Sequence, residues 1–354
     1  MVDNSKHLPS SDVFTYCNAR LTRFLPTFLD IAISEIKAYD VSEDDVAYYS
    51  HAIQYNLQGG KLIRGTLVVS TTRSILGDEM TEHHWHQALV LGWCVELLQT
   101  AFLVADDIMD KSVMRRSSVC CIIHKQFKDS THLVSLMNMF TQVSMITILG
   151  QHMDTYDALH ASLFDTPTVA TSLYYRICKN KTSYYTFFLP IKLGMIISDI
   201  DQANINFSKL ESVSSLLGHL FQAQDDYLDC YSDPSCSGKE GTDIQTRKCT
   251  WLLATAIHVG SKLQLQQIKE NIGRDDPTKV DAVKRIYNDL KLPRLFKVYT
   301  QDLKCNIQSQ INDIKHKGMS KKQSVDLINR TGLCIAMVTG NDYKQEEIMC
   351  IDNH

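Results

Sequence analysis

The chain has 354 residues, 44 % apolar content and a formal net charge of −4. With no basic excess it is not built for nucleic acid, and any local cluster of Lys and Arg calls for a local anion. Only 7 Pro and 15 Gly interrupt it, so one large all-helical domain over 1–354 is expected, with flexible ends at 1–12 and 340–354.

The amino terminus, MVDNSKHLPSSDVF, has neither the apolar run of a signal peptide nor the Arg-rich, acid-poor character of a transit peptide. The 11 cysteines are scattered, without a CxxC pair, as reduced thiols in a reducing compartment would be. A cytoplasmic location is the expectation, and under it the sequons at Asn180, Asn206 and Asn329 carry no meaning.

In chain order, QGGKLIRG at 58–65 places paired glycines before a basic helix start. EHHWH at 82–86 offers three imidazoles without an ordered carboxylate partner, and no metal site is expected there. The following segment repeats apolar residues at three and four, as a helix buried on most sides does. Its apolar stretch 88–105 carries Glu96 and Gln99 and ends in acid, which makes it a poor membrane span. FLVADDIMD at 102–110 then recurs 119 residues later as FQAQDDYLD at 221–229, again after a helical pattern and before a Pro/Gly loop, SDPSCSGKEGTD at 232–243.

On a helix Asp106 and Asp110 stand one turn apart with Asp107 beside them, and Asp225, Asp226 and Asp229 repeat that spacing. Both triplets fall near helix carboxyl ends, where the macrodipole disfavours negative charge by roughly 0.3–1 kcal/mol per group. One triplet alone is best explained as a solvated acidic patch; two, each ending a buried helix, call for cations. Carboxylates without His or Cys suit hard ions, and Mg²⁺ held by one or two carboxylates plus a substrate phosphate is the common arrangement. Lys61, Arg64, Arg115, Arg116, Lys181, Lys239 and Lys248 lie around the same motifs, and a diphosphate fits both metals and cations. With neither a P-loop nor a Rossmann fingerprint, that phosphate is not expected to arrive as a nucleotide.

GGKLIRG, GWCVELLQTAFLVADDIMDKSVMRR, KTSYYTFFLP and FQAQDDYLDCYSDPSCSGKEGTDIQ, in that order over about residues 45 to 260, resemble the trans-isoprenyl diphosphate synthase family, nearest the farnesyl diphosphate synthases of animals. The resemblance implies an all-α isoprenoid synthase fold, a single bundle of antiparallel helices around a central cavity, and a homodimer without a membrane span. Three Mg²⁺ ions on both aspartate motifs would draw the diphosphate off an allylic prenyl substrate. Carried over residue by residue, Asp106, Asp107, Asp110, Asp225, Asp226 and Asp229 become the metal set. Arg115, Lys181 and Lys239 would grip the departing diphosphate, while Thr182 and Gln222 stabilise the cation. Lys61, Arg64, Gln99 and Arg116 match the residues that hold isopentenyl diphosphate, with Lys248 nearby.

Several positions depart from the family pattern. Ile63 replaces an Asn, Ser117 to Cys121 replace Gly-x-x-Cys-Trp, Thr246-Arg247 replaces Asp-Asn, and the tail TGNDYKQEEIMCIDNH is acidic where relatives end basic. Ala101 with Phe102 replaces the paired aromatics that limit chain length, opening room for about one more isoprene unit. Tyr185 and Phe221 would complete an aromatic wall able to stabilise positive charge.

A deeper pocket and an altered second site favour a lyase of insect type, a class I terpene synthase converting farnesyl diphosphate to a sesquiterpene. The alternative is a farnesyl or geranylgeranyl diphosphate synthase that condenses isopentenyl diphosphate with an allylic diphosphate. A regulatory subunit without catalysis would have no use for six clustered aspartates.

Overall fold

The computed structural model describes residues 10–109, 117–199, 207–232 and 241–314, and among them regular structure is entirely helical. The chain divides into two compact units.

The first unit takes its described residues from Met1–Ser144, Tyr185–Asn206 and Ile314–Cys334. It contains α1 (Ser10–Ile36), α2 (Glu43–Leu57), α3 (Ile63–Leu76), α4 (Glu82–Met109), α5 (Ser117–Gln126), the start of α6 (Leu133–His152) and, further along the chain, Leu189–Ile197. Helix α3 packs on α1, α4 and Leu189–Ile197, and every residue from Gly65 to Ile75 is buried. Its buried hydroxyls bond back into their own helix, Thr72 to the Val68 carbonyl at 3.0 Å and Ser70 to that of Leu67 at 3.3 Å, so their polarity costs little.

The α3 start explains the acid that the sequence placed inside an apolar run. Leu62, the residue before the helix, is left-handed at φ 52° and its side chain caps nothing. Glu96 reaches over from α4 instead: its carboxylate accepts the Gly65 N–H at 2.7 Å. A Cβ on Gly65 would meet the Gly92 carbonyl oxygen at 2.8 Å and Leu21 Cδ2 at 2.8 Å, so glycine allows the two helices to approach this closely. Burial pushes the Glu96 carboxyl up, against the Arg64 charge and the N–H bonds that pull it down.

The second unit takes its described residues from Met145–Tyr184 and Phe207–Asp313. Here α6 runs into a π-helical turn, Met153–Asp157, and then α7 (Ala158–His160). Helix α8 (Pro167–Ile177) runs into a second π-helical segment, Cys178–Phe188, whose last residues belong to the first unit. The long helix Phe207–Tyr231 carries the second aspartate motif, and Trp251–Val259, Lys262–Asn271, Pro277–Asp289 and Leu292–Ile314 complete the unit. Its core joins Leu173 and Ile177 to Trp251, Leu253, Tyr287 and Leu292, and Phe296 stacks on Tyr227 with centroids 4.2 Å apart.

The run Leu133–His160 is long and apolar enough to span a membrane by length and composition, with a mean hydropathy of 1.5. It also holds Asp154, buried in an ion-pair cluster with two lysines, which is how a protein-packed helix carries an acid.

Candidate active site

The second motif splits its aspartates between solvent and core. Asp225 is exposed, Asp229 half-buried and Asp226 only 4 % exposed. Asp226 accepts from Gln222 Nε2 at 2.9 Å and from the Trp251 backbone N–H at 2.7 Å, which caps the start of Trp251–Val259. Thr182 Oγ1 in turn donates to Gln222 Oε1 at 2.6 Å, so one line of bonds from Thr182 to Trp251 fixes the amide. Both oxygens of Asp226 are thus engaged inside the protein, and its part is positioning. Burial, then the nearby Asp243, push its carboxyl well above the ordinary range, although the bonds from Gln222 and Trp251 oppose them.

Asp229 accepts the backbone N–H groups of Thr242 and Asp243 at 3.2 and 3.1 Å, seating the turn that follows the motif. Asp243 is pushed up to about 8, first by burial and then by Asp229, Asp154 and Asp225, with Lys248 opposing. Burial and the neighbouring carboxylates thus both disfavour its charged form.

Two π-helical segments meet beside this acidic group. Lys181, on the second, lies 2.6 Å from Asp154 on the first, and Lys248 lies 2.8 Å from the same Asp154 oxygen. Burial pushes the Asp154 carboxyl up, but Lys181 and Lys248 outweigh it and hold it below its ordinary value. Two ammonium groups thus converge on one carboxylate oxygen. The close approach depends on Gly150, where a Cβ would collide with the Asn180–Lys181 backbone. A π turn widens the helix and redirects its side chains; neither segment can be read from apolar periodicity.

In the first unit, Arg64 donates from Nη2 to the Tyr185 hydroxyl at 2.9 Å and from Nε to Thr186 Oγ1 at 3.2 Å, its guanidinium lying 4.6 Å from the Tyr185 ring centroid. Phe102 meets Tyr185 edge-on, centroids 5.4 Å apart, with Ala101 half-buried beside it in the chain. Lys61 is exposed just before α3, and the Gln99 amide oxygen is buried without a partner. Phe221 is half-buried on the second-motif helix.

Asp110, Arg115, Arg116, Lys239 and the acidic tail at 340–354 lie outside the described residues, as do the side chains of Asp106 and Asp107 on α4. Asp154 and Asp243 in the second unit and Glu96 in the first bond to or lie beside candidate residues, yet residue patterns did not assign them. The available signals were the first Asp of HMDTYD at the end of an apolar run, the Asp of GTDIQ, and the glutamate of GWCVELL.

The donor chemistry fits Mg²⁺: around the second motif the candidate ligands Asp225, Asp229 and Asp243 are all carboxylates. Among the described residues no three acidic, His or Cys side chains form a ready metal cage. Mg²⁺ held by one or two carboxylates and the oxygens of a substrate phosphate needs none.

The polyprenyl synthetase family model matches residues 46–131 and 119–290. The chain belongs to this family. Among its relatives, farnesyl diphosphate synthase of Dictyostelium discoideum is 33 % identical over 328 residues, covering 84 % of this chain and 85 % of the relative. Farnesyl pyrophosphate synthase of Saccharomyces cerevisiae is 32 % identical over 324 residues, covering 83 % and 92 %. A solved structure of T. brucei farnesyl pyrophosphate synthase superposes with a TM-score of 0.78 at 29 % identity, covering 92 % of this chain and 100 % of that one. Its all-α isoprenoid synthase fold is the fold of this polyprenyl synthase, as the sequence resemblance implied. The family's enzymes work on isoprenoid diphosphates, and this chain is an enzyme of that kind.

Proposed function

We propose that the protein is a prenyltransferase that condenses isopentenyl diphosphate with an allylic diphosphate to give farnesyl diphosphate or a longer chain. The relatives and the solved structure named above are all farnesyl diphosphate synthases by name, and they favour this reading over the lyase that the sequence departures suggest. The observation that carries the chemistry is the Asp154–Lys181–Lys248 cluster beside the carboxylates of the second motif. On this reading it would receive a diphosphate and its counter-ion.

Asp225, Asp229 and Asp243 would hold Mg²⁺, the ion that members of this family use, and the ion would supply Lewis-acid charge neutralisation to a diphosphate bound beside them. Lys181 and Lys248 would offer their ammonium groups to the same anion and help offset the charge that develops as the carbon–oxygen bond breaks. The Thr182 hydroxyl and the Gln222 carbonyl, fixed through Asp226, orient dipoles toward the allylic carbon. Arg64 and Lys61, with Gln99, would bind isopentenyl diphosphate; Tyr185 and Thr186 hold Arg64 in place for it. The partner is a second copy of the chain, and the compartment the cytoplasm.

A second reading, ionisation of farnesyl diphosphate without condensation, is favoured by Ala101, which puts a methyl group beside Phe102 where a ring would shorten the pocket. Product analysis decides between them. Purified enzyme with Mg²⁺ receives geranyl plus isopentenyl diphosphate in one tube and farnesyl diphosphate alone in another. Condensation predicts a longer prenyl diphosphate in the first tube and no hydrocarbon in the second. A volatile sesquiterpene from the second tube, with no chain growth in the first, would replace the proposal with the lyase.

A further inference from the structure

Arg247 sits immediately before Lys248 in a left-handed conformation, φ 54°, which Asn or Gly adopts far more readily than Arg. Its side chain does not turn to solvent. Nη1 donates to the Leu159 carbonyl at 3.2 Å, and the aliphatic stem lies beside Gly273, whose N–H donates to the Ile244 carbonyl at 2.9 Å. Leu159 is in the last turn of the run Leu133–His160, where carbonyls lack partners along the helix and a cation is favoured.

Lys248 reaches the same helical run through Asp154, at 2.8 Å. The turn between Asp243 and Lys248 is itself closed by Lys248 N to the Asp243 carbonyl and Thr246 N to that of Thr242, each at 2.9 Å. Residues 247 and 248 therefore tie one closed turn to one helical run at two points, Leu159 and Asp154. The lysine tie alone ends in a flexible four-carbon chain and fixes only its tip. The arginine tie fixes the backbone from which that lysine springs.

We propose that Arg247 is a positioning residue for diphosphate binding: it anchors the Asp243–Lys248 turn to the helix end at Leu159 and so aims Lys248. This inference rests on the reading of Lys248 as a diphosphate ligand. It also accounts for an arginine at a backbone position where a smaller residue would be less strained, since the smaller residue has no reach to Leu159.

The test uses full-length enzyme, inorganic diphosphate with Mg²⁺ followed by calorimetry, KM and kcat for the allylic substrate, and the thermal midpoint. Arg247→Asn suits the left-handed backbone but loses the tie. It is expected to weaken inorganic diphosphate binding about three- to tenfold, the range for one lost hydrogen bond. KM should rise in step, kcat change little, and the midpoint not fall; Arg247→Lys, which keeps the charge and part of the reach, should recover part of the affinity. In a Lys248→Ala background, Arg247→Asn should add no further loss. Wild-type affinity in Arg247→Asn, or a full additional loss on top of Lys248→Ala, overturns the inference while leaving the proposed function intact. A wild-type enzyme that fails to bind inorganic diphosphate sinks that function and this inference together.

Discussion

Asp225 and Asp226 are neighbours in one motif, and the structure predicts that their replacement breaks different things. Removing Asp226 with Asp226→Ala strands the Trp251 N–H and the Gln222 amide in a buried site. A lost helix cap costs about 0.5–2 kcal/mol, and each buried donor left unsatisfied about 1–3 kcal/mol; the contributions overlap, so roughly 2–5 kcal/mol is expected in total. Asp225 is exposed, and Asp225→Ala should cost about 1 kcal/mol or less. Urea unfolding at constant pH gives the stability difference, and a Mg²⁺ titration of turnover gives the second axis. Asp225→Ala should fold normally and lose nearly all turnover at any accessible Mg²⁺. Asp226→Ala should unfold early, and what remains folded should keep the wild-type Mg²⁺ dependence because Asp226 spends its oxygens on Gln222 and Trp251. An Asp226→Ala enzyme of wild-type stability, with its Mg²⁺ requirement raised manyfold, would refute this division of labour.

The acidic group makes the metal-free protein sensitive to pH. Asp243 binds its proton more tightly folded, about 8 against an ordinary 3.8, and Asp226 shifts the same way, so the folded state carries more protons and stability should fall as pH rises from about 4 toward 8. Thermal midpoints without metal should show that decline, and Asp243→Asn should flatten it; an unchanged slope in the variant counts against the burial of Asp243. Gly65→Ala should destabilise by about 1–3 kcal/mol, the range for overpacking a tight contact, because its Cβ meets the Gly92 carbonyl; a chemical-denaturation midpoint equal to wild type would contradict the α3–α4 approach. Under the proposed condensation, Ala101→Phe should shift the product distribution toward shorter chains by placing a ring beside Phe102, read by chromatography of dephosphorylated products. Tyr185→Phe removes the hydroxyl that accepts from Arg64 and should raise KM for isopentenyl diphosphate about two- to tenfold, while KM for the allylic substrate stays within twofold.

The helical class was readable because it depends on local rules: apolar spacing of three and four, and few Pro and Gly. What escaped depends on contacts across the chain. Glu96 counted in the sequence only as a charge spoiling a membrane span, since its use, capping a helix 31 residues earlier, exists only once α3 and α4 are packed. Asp226 had the same motif claim as Asp225, although adjacent helix positions point about 100° apart and one of the two turns inward. Asp154 lies in an apolar run, and its meaning comes from lysines 27 and 94 positions away.

The π-helical segment Cys178–Phe188 shows why such residues come together on one element. With an ordinary helical pitch, Lys181 would stand one turn from Tyr185 and Thr182 one turn from Thr186, each pair on its own face. In the wider turn Lys181 goes to Asp154, Thr182 to Gln222, and Tyr185 and Thr186 to Arg64. The three destinations are a carboxylate shared with Lys248, an amide held by Asp226, and a guanidinium. A widened helix is less favourable than a regular one, and its persistence over 11 residues is understandable only if those contacts offset the loss. Gly150, by letting α6 lie against the segment's backbone, supplies part of that compensation. The KTSYYT residues are therefore a unit: substitutions that restore regular pitch should disturb Lys181, Thr182 and Tyr185 together, even when none of the three is itself replaced.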